Sequence, residues 1–157
     1  MEQQNEKSIA LKITPPVYYL GGLVLGLSLH LWIAPIDILP ESKIDEQLGL
    51  LIVIIGVMLF LWSGQTMAKF GVNPRFQPVK NLISTGPFGW SRNPIYVSFT
   101  LMYLGITIMY NTLWPVLFLP VVLSLIHYRI ILREEDYLES VFGQDYHDYR
   151  KKVRRWM

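Results

Sequence analysis

Residues 93–128 read NPIYVSFTLMYLGITIMYNTLWPVLFLPVVLSLIHY, thirty-six positions without an aspartate, glutamate, lysine or arginine. As one α-helix at 1.5 Å per residue, this stretch would run roughly 54 Å, far beyond the ~30 Å hydrocarbon core of a bilayer. It has to fold back, and Tyr110-Asn111-Thr112-Leu113-Trp114-Pro115 marks the place: polar capping residues, then a proline suited to a helix start. The expectation is a hairpin of two membrane spans, near 94–110 and 113–132. The second needs Arg129 and Ile130–Leu132 to reach full length, with the Arg129 head snorkelling or facing protein.

Two further apolar runs lie upstream. Val17–Ile36 is twenty residues without a fixed charge, and Gln47–Ala68 is twenty-two, each long enough to span. Gly21, Gly22 and Gly26 place small residues on one face of the first run, a means of close helix approach that would also allow a dimer; oligomeric state is otherwise unknown from sequence. His30 in that run reads as a histidine bonded to a neighbouring helix, and Gln65 and Thr66 as interfacial or cavity-facing. Residues 37–46 (DILPESKIDE) form a polar, mainly acidic loop. The polar start, with Glu2 and Glu6 beside Lys7 and Lys12, does not resemble a cleavable leader. The expected fold is therefore all-α: one polytopic membrane domain, residues 1–157, with four transmembrane helices.

Composition agrees. The chain is 52% apolar and 17% charged, with no cysteine, which removes disulfides, thiolate metal sites and cysteine nucleophiles. His30, His127 and His147 are too scattered for a zinc site, so no metal is expected, and a chain mostly in lipid makes nucleic-acid binding a poor fit. Of the fourteen lysines and arginines, thirteen fall before the first span, in the 69–92 segment or from Arg129 onward; only Lys43 falls on the other side. The positive-inside rule then puts both termini and the 69–92 segment in the cytoplasm. The short chain suggests a bacterial cytoplasmic membrane.

Two polar stretches reach that cytoplasmic face. Residues 84–96, STGPFGWSRNPIY, crowd helix breakers with aromatic rings; Arg92 is the last charge before the apolar run, and Asn93-Pro94 reads as N-cap and first helical residue. Asn73-Pro74 and Gln77-Pro78 break the segment before it. The second stretch is Arg133-Glu134-Glu135 at the end of the last span. Glu134 follows His127 by seven residues, and Glu135 follows Tyr128 by seven, so each pair is expected to nearly share a helix face. Beyond it the helix continues to Gly143, a C-cap, and the basic, aromatic tail ending RKKVRRWM reads as an interfacial segment lying on anionic headgroups.

The order G-P-F-x-x-x-R-N-P-x-Y, a membrane hairpin, then R-E-E-x-x-L-x-x-x-F-G-x-x-Y-x-x-Y resembles the isoprenylcysteine carboxyl methyltransferase family, which is related to the phospholipid N-methyltransferases. The resemblance covers about residues 69–156. It implies an integral-membrane enzyme that moves a methyl group from S-adenosylmethionine to a lipid-like or amphipathic acceptor at the cytoplasmic interface. By the family pattern, Leu82, Ile83, Gly86 and Phe88 line the cofactor pocket from the loop, Asn93 and Tyr96 contact it from the third span, and Glu134 or Glu135 bonds its polar groups. Arg92 would pair with a carboxylate of cofactor or substrate and, with Glu135, would carry catalysis. Many members have histidine where this chain has Asn93, and asparagine cannot titrate. A carboxylate acceptor follows the nearest resemblance, with an amine as runner-up. A nicotinamide-dependent membrane reductase with a related helical core, and a non-catalytic adaptor, remain alternatives.

Overall fold

The computed structural model describes residues 14–38, 40, 43–71 and 81–157, and every regular element among them is helical. The elements are α1 (Pro15–Trp32), α2 (Lys43–Lys69), a 3₁₀ turn (Gly86–Gly89), α3 (Pro94–Met109), α4 (Trp114–Ile126), a π turn (His127–Ile131), α5 (Leu132–Phe142) and α6 (Gln144–Lys152). The expectations for Asn73-Pro74 and Gln77-Pro78, and for residues 1–13, lie outside the described residues. Two continuous stretches, Ile44–Lys69 and Trp114–Phe142, are long and apolar enough to cross a membrane by length and composition; α3 is apolar but shorter.

The hairpin turns where expected, between Met109 and Trp114, with Asn111 in a left-handed conformation at φ 42°. Other boundaries differ. α1 stops at Trp32, four residues before the predicted end, because Pro35 disfavours helical backbone in the residue before it. α2 begins at Lys43, inside the acidic stretch predicted as loop; Asp45 and Glu46 then fall in its first turn, where the helix dipole favours acids.

Close packing rests on glycines. A Cβ on Gly49 would lie 2.6 Å from Gly105 O, and one on Gly105 2.7 Å from Gly49 O, so α2 and α3 touch backbone to backbone. On α1, a Cβ on Gly22 would meet Val122 Cγ2 at 2.6 Å and one on Gly26 would meet Pro115 N at 2.6 Å. Two of the three α1 glycines thus seat α1 on α4 within the chain, and only Gly21 faces open space. Tyr19 donates to Tyr96 O at 3.0 Å, and Tyr103 donates to Pro115 O at 2.7 Å. These hydroxyls help join α1, α3 and α4 around a core of Tyr19, Tyr96, Tyr103, Val122, Ile126, Ile130 and Ile131. At the hairpin end, Trp114 Nε1 donates to Ala34 O at 2.8 Å and Leu113 N to Ile36 O at 2.9 Å. His30 Nδ1 is buried there with no hydrogen-bond partner among the described residues, so the expected bond to a neighbouring helix is not made.

The outer faces of α1, α2 and α4 are apolar and exposed, with Leu25, Leu31, Leu51, Met58, Leu61 and Val121 turned outward. A row of that size needs lipid or protein to cover it.

Candidate active site

The two polar motifs converge where α3 begins and α5 leaves the apolar stretch. Pro87 is buried within the 3₁₀ turn, and Gly86 at φ 60° adopts a backbone that favours glycine. A Cβ on Gly86 would approach Thr66 Oγ1 to 3.3 Å, so the turn lies against α2. Pro94 then starts α3 and fixes the direction in which Arg92 and Asn93 leave the loop.

Arg92 and Glu135, forty-three positions apart, form an ion pair at 3.2 Å, each side chain 8% exposed. Glu135 also receives both arms of Arg155, Nε to Oε1 at 2.9 Å and Nη2 to Oε2 at 2.7 Å. That fork is the bidentate geometry guanidinium favours. Arg92 Nη1 additionally donates to the Tyr146 hydroxyl at 3.3 Å. Arg92 Nε is buried and has no partner among the described residues. One residue before Glu135, Glu134 accepts from the Tyr96 hydroxyl, with oxygens at 2.8 and 3.0 Å, and Tyr96 is its only hydrogen-bond partner among the described residues. The adjacent carboxylates therefore differ: Glu135 is fully engaged by cations, Glu134 lightly engaged by a phenol.

The π turn decides this arrangement. Its wider i→i+5 turn advances the helix less per residue, so seven residues across it are not two turns. Tyr128 is 68% exposed, while Glu135 is buried at 6%. The predicted face-sharing of Tyr128 with Glu135 is thus corrected, and the carboxylate is turned inward toward Arg92.

The remaining predicted residues lie around this cluster. Ile83 is buried, and Leu82 packs on Tyr146, Tyr149 and Val153. Phe88 presents its carbonyl to the Tyr149 hydroxyl at 2.7 Å. Asn93 occupies the N-cap position without a capping side-chain bond; its Nδ2 donates instead to Arg155 O at 3.0 Å. A cavity of about 590 Å³ opens beside Leu82, lined also by Phe70, Asn81, Phe142 and Asp145.

The tail, expected as an interfacial segment, folds back onto the 84–96 loop. Ser91 Oγ donates to Arg155 O at 3.1 Å, and Arg92 N donates to Arg154 O at 2.9 Å. Val153 is buried, and Trp156 packs against the main core. Burial pushes the Tyr146 and Tyr149 hydroxyls above their ordinary titration range, and the bond to Glu135 raises Arg155. Both tyrosines and Arg155 escaped prediction as site residues. Two tyrosines three residues apart in a short amphipathic segment were the available signal, since they share a helix face that needs a cover.

Comparison with known proteins fits this geometry. The phospholipid methyltransferase family profile matches residues 45–145. The chain belongs to that family. It is 30% identical over 117 residues to the protein-S-isoprenylcysteine O-methyltransferase of Saccharomyces cerevisiae, covering 71% of this chain and 48% of the relative. It is 36% identical over 72 residues to the protein of the same name from Schizosaccharomyces pombe, covering 46% of this chain and 30% of the relative. An uncharacterized protein of Haemophilus influenzae is 38% identical over 63 residues, its whole length and 40% of this chain. The chain thus spans 30% and 48% of the lengths of the two yeast methyltransferases it matches. No solved structure matches it. Family and apolar helices together mark a membrane protein of a methyltransferase family.

Proposed function

We propose that this chain transfers a methyl group from S-adenosylmethionine to a lipid-like or amphipathic acceptor at the cytoplasmic membrane interface, as a carboxylate O-methyltransferase. The observation that carries this reading is the convergence of Arg92, Tyr96, Glu134 and Glu135 at one end of apolar helices. A water-soluble donor and a lipid-held acceptor can meet only at such a boundary.

The donor set suits the cofactor. Arg92 Nε, buried without a partner among the described residues, can donate to a carboxylate, and Glu134 has acceptor capacity left for an ammonium or a ribose hydroxyl. When bound, S-adenosylmethionine supplies a methyl group on a sulfonium leaving group. The protein's own part is then to align the acceptor and exclude water. In this reading Arg92, Tyr96 and Glu134 contact cofactor or acceptor. Leu82, Ile83, Gly86 and Phe88 form the loop wall, while Asn93 and Glu135 hold that wall in register. A carboxylate acceptor has no proton to lose in the transfer, which agrees with an Asn93 that cannot titrate. The family's phospholipid name favours an amine as the second choice.

Four spans, both termini cytoplasmic and a single domain in a bacterial cytoplasmic membrane complete the proposal. Its support is the one-sided distribution of lysine and arginine and the exposed apolar faces. The test is incubation of purified protein with methyl-labelled S-adenosylmethionine and a lipid extract. A base-labile labelled product indicates a methyl ester and a base-stable one an N-methyl group. Thermal stabilisation by NADPH but not by S-adenosylhomocysteine would replace this reading with a reductase.

A further inference from the structure

The geometry points to Arg155 as a positioning residue: its fork onto Glu135 latches the C-terminal tail over residues 88–93 and so fixes the Arg92 guanidinium. Four separate hydrogen bonds join the two segments. Tyr149 reaches Phe88 O, Ser91 and Asn93 both reach Arg155 O, and Arg92 N reaches Arg154 O, all between 2.7 and 3.1 Å. Three of the four end on main-chain carbonyls at positions 154 and 155, so they depend on where that backbone lies rather than on which side chains it carries. The Arg155 side chain sets that position through its two contacts with Glu135, a residue fixed on α5. Lysine offers a single ammonium and cannot reproduce both contacts with fixed geometry.

The consequence concerns Arg92. Its main chain is held by the tail and its side chain by Glu135 and Tyr146, the latter buried on α6 against Tyr149 and Val153. Releasing Arg155 removes one cation from Glu135 and unfastens the carbonyls that hold Ser91, Arg92 and Asn93. The loop, 61 to 64 residues away in sequence, should then open together with the tail. Because Arg155 touches no reacting group in this arrangement, its effect on a ligand passes through the loop.

Hydrogen-exchange mass spectrometry of full-length protein in nanodiscs tests the latch, using Arg155→Ala and Arg155→Lys. Exchange of residues 86–93 should rise at least tenfold in Arg155→Ala and by less in Arg155→Lys, with α2 and α3 protected as in the wild type. A freed tail with the 86–93 loop still fully protected would overturn the latch. Unprotected α2 and α3 in Arg155→Ala would mean a folding defect, and Arg155→Lys alone would then decide by the same loop-against-tail comparison. A second readout rests on the methyltransferase reading: affinity for S-adenosylhomocysteine should fall at least tenfold in Arg155→Ala and recover partly in Arg155→Lys. Undiminished affinity in Arg155→Ala overturns the positioning role. Absence of binding in the wild type overturns the methyltransferase reading instead, while the exchange result still decides the latch.

Discussion

Replacing the adjacent glutamates one at a time should give very different proteins, and the contrast follows from their partners. Glu135→Ala removes the only carboxylate that Arg92 meets among the described residues, and the Arg92 side chain is 8% exposed. Breaking a buried pair by deleting one partner typically costs about 3–5 kcal/mol, because the surviving charge stays desolvated. Arg155 also loses both contacts, but at 26% side-chain exposure it can turn to water, which limits its added cost. The expected loss for Glu135→Ala is therefore about 3–5 kcal/mol, a large share of the ~5–15 kcal/mol typical of a folded domain. Glu134→Ala leaves no cation stranded but deprives the buried Tyr96 hydroxyl of its acceptor, so it should cost about 1–3 kcal/mol. Glu135→Gln keeps the shape but not the charge and should fall between them. Equilibrium unfolding in mixed micelles, followed by tryptophan fluorescence, measures all three. Glu135→Ala within 1 kcal/mol of wild type, or Glu134→Ala as damaging as Glu135→Ala, would refute the division between an engaged carboxylate and an available one.

Two further outcomes follow from the packing and the tail. Gly105→Ala would put a methyl 2.7 Å from Gly49 O and 2.8 Å from Val53 N, both main-chain atoms, so the same unfolding assay should show a loss of about 1–3 kcal/mol or more. Gly21→Ala, facing open space, serves as its neutral control. Burial raises the Tyr149 hydroxyl above its ordinary 10.0, so the folded state holds that proton more tightly than the unfolded one. Its contribution is complete below pH ~10 and is lost as pH rises through the higher folded value. Tyr149→Phe should cost about 1 kcal/mol at neutral pH through the lost bond to Phe88 O and should flatten the alkaline decline, read as Tm against pH.

Membrane character was legible in the chain because burial in lipid demands long uncharged runs, and Asn93–Tyr128 is too long to be anything but a hairpin. The break at Tyr110–Pro115 was equally clear, since capping residues and proline act locally. The motifs that mark the site were readable in the same way, as strings with fixed order. What only the tertiary structure decided depends on where helices touch. The π turn at His127–Ile131 has no composition of its own, yet it rotates Glu135 away from the exposed face of Tyr128 and toward Arg92. The basic tail reads as an interfacial segment from its composition, and only the fold shows that it also covers the loop: Tyr146, Tyr149 and Val153 find an apolar seat with Leu82 and the Arg155 fork finds a buried carboxylate. Glycines alone cannot reveal their partner: those on α1 could have served a dimer, and only the packed chain gives Gly22 and Gly26 to α4. Local steric and solvation rules thus wrote the helices into the sequence, whereas the pairing of distant charges required the folded backbone to bring them within 3.2 Å.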